Sequence, residues 1–407
     1  MSFLKERENM SVTLEKAQEL TLAHAKATGA EKVALREALG RVLFEDLIPD
    51  KDQPPFPRSP LDGYALSAED TKGASRANPV ALKVTGSVFA GDRADISVKP
   101  GSAVRVMTGG MLPDGVDCVI RQEDTDGGEE TVLIYERLRP FDNYCFRGDD
   151  FKAGELLIPR GTRLDAAAVS VAAAAGAFEL AVFKRPRVAV ISTGDELLEP
   201  GTPLPAGKIY DSNMFYLTSR LRETGAHITA ELIAPDNFEK ISSALSDLAG
   251  KTDLIITTGG VSVGKKDLLP AVTSALGARL VFSGVSMKPG SPTLFTCIAD
   301  TPVLSLSGNP FACSACFELL ARGLLAKLSG NTETRLLTAE SKLLSDFPKK
   351  STGRRLIRGK YTPEGVLLPE GHSSGQMRSM MGCNCFVDIP AGTGKLHAGD
   401  PVRVILL

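Results

Sequence analysis

The sequence predicts a multidomain protein of α/β plus β class, and three observations lead there. A chain of 407 residues is longer than one hydrophobic core serves, so roughly two to four domains are expected. Residues 185–330 alternate strand-like and helix-like segments, the pattern of an open, mostly parallel, doubly wound sheet with helices on both faces. Residues 77–140 and 331–407 instead carry short apolar runs between Gly, Pro and Asp turns, the pattern of small barrels or sandwiches.

Composition narrows the function classes. A net charge of −2 gives no reason to expect nucleic acid or an anionic membrane as partner. The charged N-terminus lacks an apolar signal core, and the richest apolar run, residues 166–180, is too short and too alanine-rich to span a bilayer. Seven cysteines, odd in number and thinly spread, fit a reducing cytoplasm. Four histidines argue against a His-based metal site or a His-centred triad.

Taken in order, residues 13–28 read as a modestly amphipathic helix whose small residues suit close packing. Residues 35–39 start a second, short helix ending at Gly40. Residues 50–66, with Pro54, Pro55, Pro57 and Pro60, form a stiff exposed connection and the first domain boundary; Asp62-Gly63 reads as a tight turn, with Asp62 a residue able to reach out from it. Strands follow at 80–88, 103–108, 117–122 and 131–135, with Thr108 at a strand end before Gly109-Gly110. Residues 166–176 form a small-residue helix capped by Asp165, expected to return onto the N-terminal helix. The division expected is 1–52 with 143–184 as one discontinuous unit, 53–142 as a β-rich domain, 185–330 as the α/β domain and 331–407 as a C-terminal β domain.

Within 185–330, strands are expected at 188–193, 228–233, 253–256, 279–285 and 303–305, with helices at 213–224, 238–248, 268–276 and 310–328 and Asn213 near a helix cap. Open α/β sheets bind ligands at the carboxyl ends of their strands. The residues falling there are Thr193, Gly194, Glu196, Asp236, the turn Gly259, Gly260, Ser262, Gly264 to Asp267, then Lys288 and Gly308-Asn309-Pro310. Gly259-Gly260 lets a ligand approach the backbone without a Cβ in the way, and free N–H groups there suit an anion. The P-loop spacing is absent. Glu196, Asp236 and Asp267 on one rim suggest Mg²⁺ shared between carboxylates and ligand phosphates, and Lys288 would neutralise an oxyanion. Cys313 and Cys316, one turn apart among Phe and Leu, read as buried small hydrophobes rather than a zinc site.

The segments PPFPRSPLDGYAL, AVRVMTGGMLPDGVDCVIRQED, RGDDFKAGELLIPRGTRL, VAVISTGDEL, KIYDSN, DLIITTGGVSVGKKD, MKPGSP, SGNPFA and GTGKLHAGDPVRVILL span nearly the whole chain. In this order they resemble the MoeA family of molybdenum-insertion enzymes, whose eukaryotic relatives include the gephyrin E domain. The resemblance implies an L-shaped subunit with a central MoaB/Mog-like α/β domain and β-barrel domains. It implies a homodimer whose active site is shared between two copies, and Mg²⁺, molybdate and adenylylated molybdopterin as cofactor and substrates. The reaction implied hydrolyses the adenylate, releases AMP and leaves molybdenum on the dithiolene. The partners implied are a Mog/MoaB-type molybdopterin adenylyltransferase upstream and molybdoenzymes or their chaperones downstream. Motif by motif, Asp62 and Thr108 would come from the second copy. Glu196, Asp236 and Asp267 would serve pterin, nucleotide and Mg²⁺, and Lys288, Arg358 and Ser374 would hold molybdate.

The sequence departs from the family at Gly284 and Ser291, where lysines are usual, at Leu268, where a tyrosine is common, and at Ser307 in the Gly-Asn-Pro turn. Two alternatives to the enzyme follow. One is a pterin-binding scaffold with impaired catalysis, or a tungstate-preferring paralogue, for which Gly284 speaks. The other is a dinucleotide oxidoreductase, for which the α/β pattern speaks but which lacks GxGxxG after the first strand of that domain.

Overall fold

The computed structural model describes residues 10–262 and 267–407. Its centre is a six-stranded sheet in the order His227–Ala234, Arg187–Thr193, Leu254–Thr258, Thr301–Leu306, Leu294–Ile298, Arg279–Ser283. The first four strands run parallel, and the last two are added antiparallel. Leu254–Thr258 is buried along its whole length, as a central parallel strand covered on both faces must be. Alternation does the rest. Val188, Val190, Leu254, Ile256, Leu304 and Leu306 face Leu217, Leu221, Phe317 and Leu324 of two helices on one side. Ala189, Ile191, Ile255 and Val303 face Ile241, Leu245, Leu269 and Val272 on the other.

The strand Leu294–Ile298 is missing from the sequence expectation. It forms a hairpin with Thr301–Leu306 through Ala299 and Asp300, both with positive φ, 45° and 63°. Neither residue is the usual glycine or asparagine of such turns, which is why the hairpin was hidden. Pro310 heads the last helix as expected. That helix runs Pro310–Cys316, passes through a π turn at Phe317–Ala321 and continues as Arg322–Leu328. Glu318 in the π turn is buried and accepts from Arg220 at 2.7 and 2.9 Å, Tyr216 at 2.9 Å and Arg322 at 3.2 Å.

The N-terminal helix is Leu14–Ala23, capped by Thr13 and shorter than its pattern suggested. Leu14 and Ala17 pack with the helix that ends at Leu328. That face being taken, the helix Ala166–Ala174 does not return onto it as expected. Its Ala172 packs with Ala38, Leu43, Ile158, Leu164, Leu180 and Val182, beside the antiparallel pair Ala30–Ala34 and Glu179–Phe183. The short helix expected after residue 35 is a single 3₁₀ turn, Leu35–Glu37.

The β-rich part is a five-stranded sheet in the order Cys118–Arg121, Gly63–Leu66, Ser102–Val106, Val80–Val88, Thr131–Ile134. Asp62-Gly63 is therefore not the tight turn expected: Gly63 opens a central, fully buried strand. Glycine is required there because a Cβ would lie 1.8 Å from the Ile120 carbonyl oxygen. The C-terminal part is an open half-barrel of five antiparallel strands, with Thr338–Lys342, unforeseen, at one edge. Among the described residues no helix is long and apolar enough to cross a membrane.

Candidate functional site

The carboxyl ends of three central strands meet through glycine. A Cβ on Gly259 (φ 89°) would stand 2.3 Å from the Thr193 carbonyl oxygen, and one on Gly260 (φ 60°) 2.9 Å from Thr193 Oγ1. A Cβ on Gly308 would touch Gly259 Cα at 3.4 Å. Backbone thus packs on backbone along a smooth rim that only glycine permits. The Asn213 side chain stitches it, donating to Thr258 Oγ1 at 3.0 Å and to the Gly308 carbonyl at 2.8 Å. Thr258 Oγ1 donates in turn to the Ser307 carbonyl at 3.2 Å. Asn213 was expected near a helix cap; the cap is Asp211, which accepts from Met214 N–H. The sequence signal was the run DSN, in which three residues can all cap a helix.

The rim acids spread over these strand ends. The Glu196 carboxylate folds over Gly194, where a Cβ would meet its Oε2 at 2.8 Å. Asp236 N–H donates to Asp195 Oδ1 at 3.1 Å, tying two strand ends together. Asp267 is half-buried, and Leu269 N–H closes the turn onto the Gly260 carbonyl at 3.1 Å. Ser262 is exposed on this turn, and Gly264 lies outside the described residues. Among the described residues, no three His, Cys, Asp or Glu side chains stand close enough to ligate one ion.

Two residues, Asn309 and Pro310, separate Gly308 of this rim from a second feature. Pro310 follows the Gly308-Asn309 turn, and Phe311 lines a cavity of about 400 Å³ between the α/β and C-terminal parts. Its lining includes Lys288, Lys349, Arg355, His372, Ser373 and Ser374 and, among the described residues, no Asp or Glu. The loop carrying Lys288 is sewn to the C-terminal sheet: Lys288 N–H donates to the Arg354 carbonyl at 2.9 Å, and its carbonyl accepts from Leu356 N–H at 2.8 Å. Phe311 N–H donates to the Ser374 carbonyl at 2.9 Å, which fixes the opposite wall.

Behind that wall lies Arg358, 1 % exposed, its guanidinium 4.2 Å above the Phe311 ring. It donates to the Ser373 carbonyl at 2.8 Å, while Nε and Nη1 have no partner among the described residues. Burial pushes the guanidinium below its ordinary value. Burial, followed by the charges of Arg358 and Lys349, likewise lowers His372, so its imidazole stays neutral at pH 7. A buried guanidinium with unsatisfied N–H groups is costly unless an anion completes it.

Asp62 and Thr108 come together in the β-rich sheet. Asp62 Oδ1 accepts from Thr108 N–H and from Thr108 Oγ1, each at 2.7 Å. The backbone bond, then the hydroxyl, holds the Asp62 carboxyl below its usual range. Among the described residues no hydrogen bond or ion pair joins this pair to the rim or the cavity. Cys313 and Cys316 are fully buried in the core, and burial pushes the Cys316 thiol up to about 12.

Three family models match successive parts of the chain: the MoeA N-terminal region over residues 12–176, a probable molybdopterin binding domain over 189–327 and the MoeA C-terminal region over 340–407. A molybdopterin molybdenumtransferase of Bacillus subtilis is 37% identical over 385 residues, covering 93% of this chain and 90% of the relative. One from Staphylococcus epidermidis is 34% identical over 378 residues, covering 92% and 90%. Among solved structures, a molybdopterin biosynthesis MoeA protein from Pyrococcus horikoshii superposes with a TM-score of 0.86 at 30% identity, covering 98% of this chain and 100% of that one.

Proposed function

We infer what the rim and the cavity do from one premise: this chain belongs to the MoeA family, and it acts as a molybdopterin molybdenumtransferase in molybdenum-cofactor synthesis. The finer chemistry is our reading. The glycine rim of Thr193, Gly194, Gly259, Gly260 and Gly308 takes the pterin and nucleotide of adenylylated molybdopterin, because it lies at the carboxyl ends of the central strands, where sheets of this kind bind ligands. Ser262, Asn309 and Pro310 complete its outline, and Gly264 belongs to the same proposal. Asp236 and Asp267 would hold Mg²⁺, with Glu196 beside them; the ion supplies neutralising charge at the phosphoanhydride.

The cavity takes molybdate. Lys288 gives a point charge, Ser374 a hydroxyl, and Arg358 the planar fork that suits a tetrahedral oxyanion. The observation that carries this is the adjacency: a cationic cavity, lined by no acid among the described residues, begins at Phe311, three residues after Gly308 ends the glycine rim. Bound side by side, the oxyanion and the dithiolene sulfurs are held for transfer without a diffusive step. Water attacks the phosphoanhydride, releasing AMP and uncovering the pterin phosphate.

The Asp62–Thr108 pair belongs to the proposed site of a second copy. It is preorganised, ionised and exposed, with no bond to its own rim among the described residues. A homodimer would bring it over the other copy's nucleotide. The test is AMP release from adenylylated molybdopterin by purified protein. Asp267→Asn loses at least about a hundredfold in turnover while still folding. Full turnover in that variant would refute the Mg²⁺ role.

A further inference from the structure

We propose that Lys349 and Arg355 are additional ligands of the oxyanion, so that the cavity's charge comes from both of its walls; this rests on reading the cavity as the molybdate site. The contrast between two neighbouring arginines makes the case. Arg354 is spent: it donates to both Asp388 oxygens at 2.8 and 2.6 Å and pairs with Glu15. Arg355 has no acid within ion-pair distance among the described residues. Its Nε donates to Ser351 Oγ at 3.1 Å, a hydroxyl on a buried residue, and its guanidinium carbon lies 6.0 Å from the Phe347 ring centroid. These two contacts hold the side chain at the cavity it lines and leave both terminal nitrogens without a protein hydrogen bond among the described residues.

Lys349 lines the same cavity two residues beyond Phe347, which is 1 % exposed and anchors that loop. It too lacks an acid partner among the described residues, and its charge is felt by His372 across the cavity wall. Lys288 and Ser374 approach from other walls, and Arg358 lies behind. A tetrahedral dianion presents acceptors on every side, and ligands on one side alone would leave some oxygens facing a wall without donors. Lys349 and Arg355 supply those donors. Because no carboxylate among the described residues lines the cavity, their charges are not cancelled there, and the local concentration of a dianion rises.

The experiment is calorimetric titration of the full chain with molybdate at fixed ionic strength. Lys349→Ala and Arg355→Ala each weaken binding about tenfold, the size of one charge-assisted hydrogen bond, and the double variant weakens it about a hundredfold. Arg355→Lys falls between, keeping charge and losing the fork. In turnover, KM for molybdate rises while kcat at saturating molybdate holds; a merely structural role would lower kcat and the unfolding midpoint as well. If the double variant binds molybdate like the parent while Arg358→Ala does not, Lys349 and Arg355 are not ligands and the cavity keeps its role. If Arg358→Ala and Lys288→Ala also bind like the parent, the cavity is not the oxyanion site and the proposal falls with it.

Discussion

The rim and the cavity adjoin, yet they are built on opposite principles. At the rim, the polar side chains that set its shape are spent on the protein itself: Asn213 bridges Thr258 and Gly308, and Thr258 reaches Ser307. In the cavity they are withheld: Arg358 keeps Nε and Nη1 unpaired, and Lys288, Lys349 and Arg355 have no acid partner among the described residues. A bulky, flat ligand needs a rigid surface, which stability-giving contacts can also provide. A small dianion needs uncompensated charge, which costs stability until the ligand arrives.

Substitutions can break this contrast. The largest structural effect is expected at Gly259→Ala, where the new Cβ meets the Thr193 carbonyl at 2.3 Å with φ at 89°. It should cost about 2–3 kcal/mol and remove nucleotide binding, while molybdate still binds the cavity. Calorimetry with each ligand separates the two outcomes, and equal loss of both would show that rim and cavity are not independent. Asn213→Ala should cost about 1–3 kcal/mol by leaving buried groups at Thr258 and Gly308 unpaired, measured by chemical denaturation. Arg358→Met should do the reverse, leaving the unfolding midpoint no lower than the parent's while molybdate affinity falls by about tenfold or more. A clear drop in midpoint would mean that Arg358 is structural.

The smallest effect is at Thr108→Ala. Asp62 has its carboxyl lowered, so its contribution is present above the unfolded value and is lost as pH falls through the folded value. Removing the Thr108 hydroxyl leaves the larger backbone bond in place, so the carboxyl moves only part of the way up. NMR titration of Asp62 reads this directly, and the acid limb of turnover should move up with it.

Much of the rim was legible because its signals are local. Apolar runs that stop at Thr193 and at Gly259-Gly260 mark strand ends, and strand ends are where such sheets bind ligands. The cavity was half legible. Lys288 came from its place beyond a strand end and Arg358 and Ser374 from motif likeness, whereas Lys349, Arg355 and His372 gave no local sign, since a cation in a loop usually faces water. Their meeting depends on main-chain bonds between residue 288 and residues 354–356, which no periodicity announces. Gly63 was misread for a related reason: Asp-Gly signals a turn, but here the glycine answers to the Ile120 carbonyl of a strand more than fifty residues away. The hairpin at Ala299-Asp300 failed because Ala299, held at positive φ, gives no turn signal of its own beside Asp300.

The measurement that tests the division most directly is a crossed pair, Asp267→Asn and Arg358→Ala, each scored for molybdate binding and for AMP release from adenylylated molybdopterin. The account predicts that Asp267→Asn binds molybdate like the parent and releases no AMP, whereas Arg358→Ala loses molybdate and still binds the adenylate. A single shared phenotype, with both variants losing both functions or neither losing any, would contradict it.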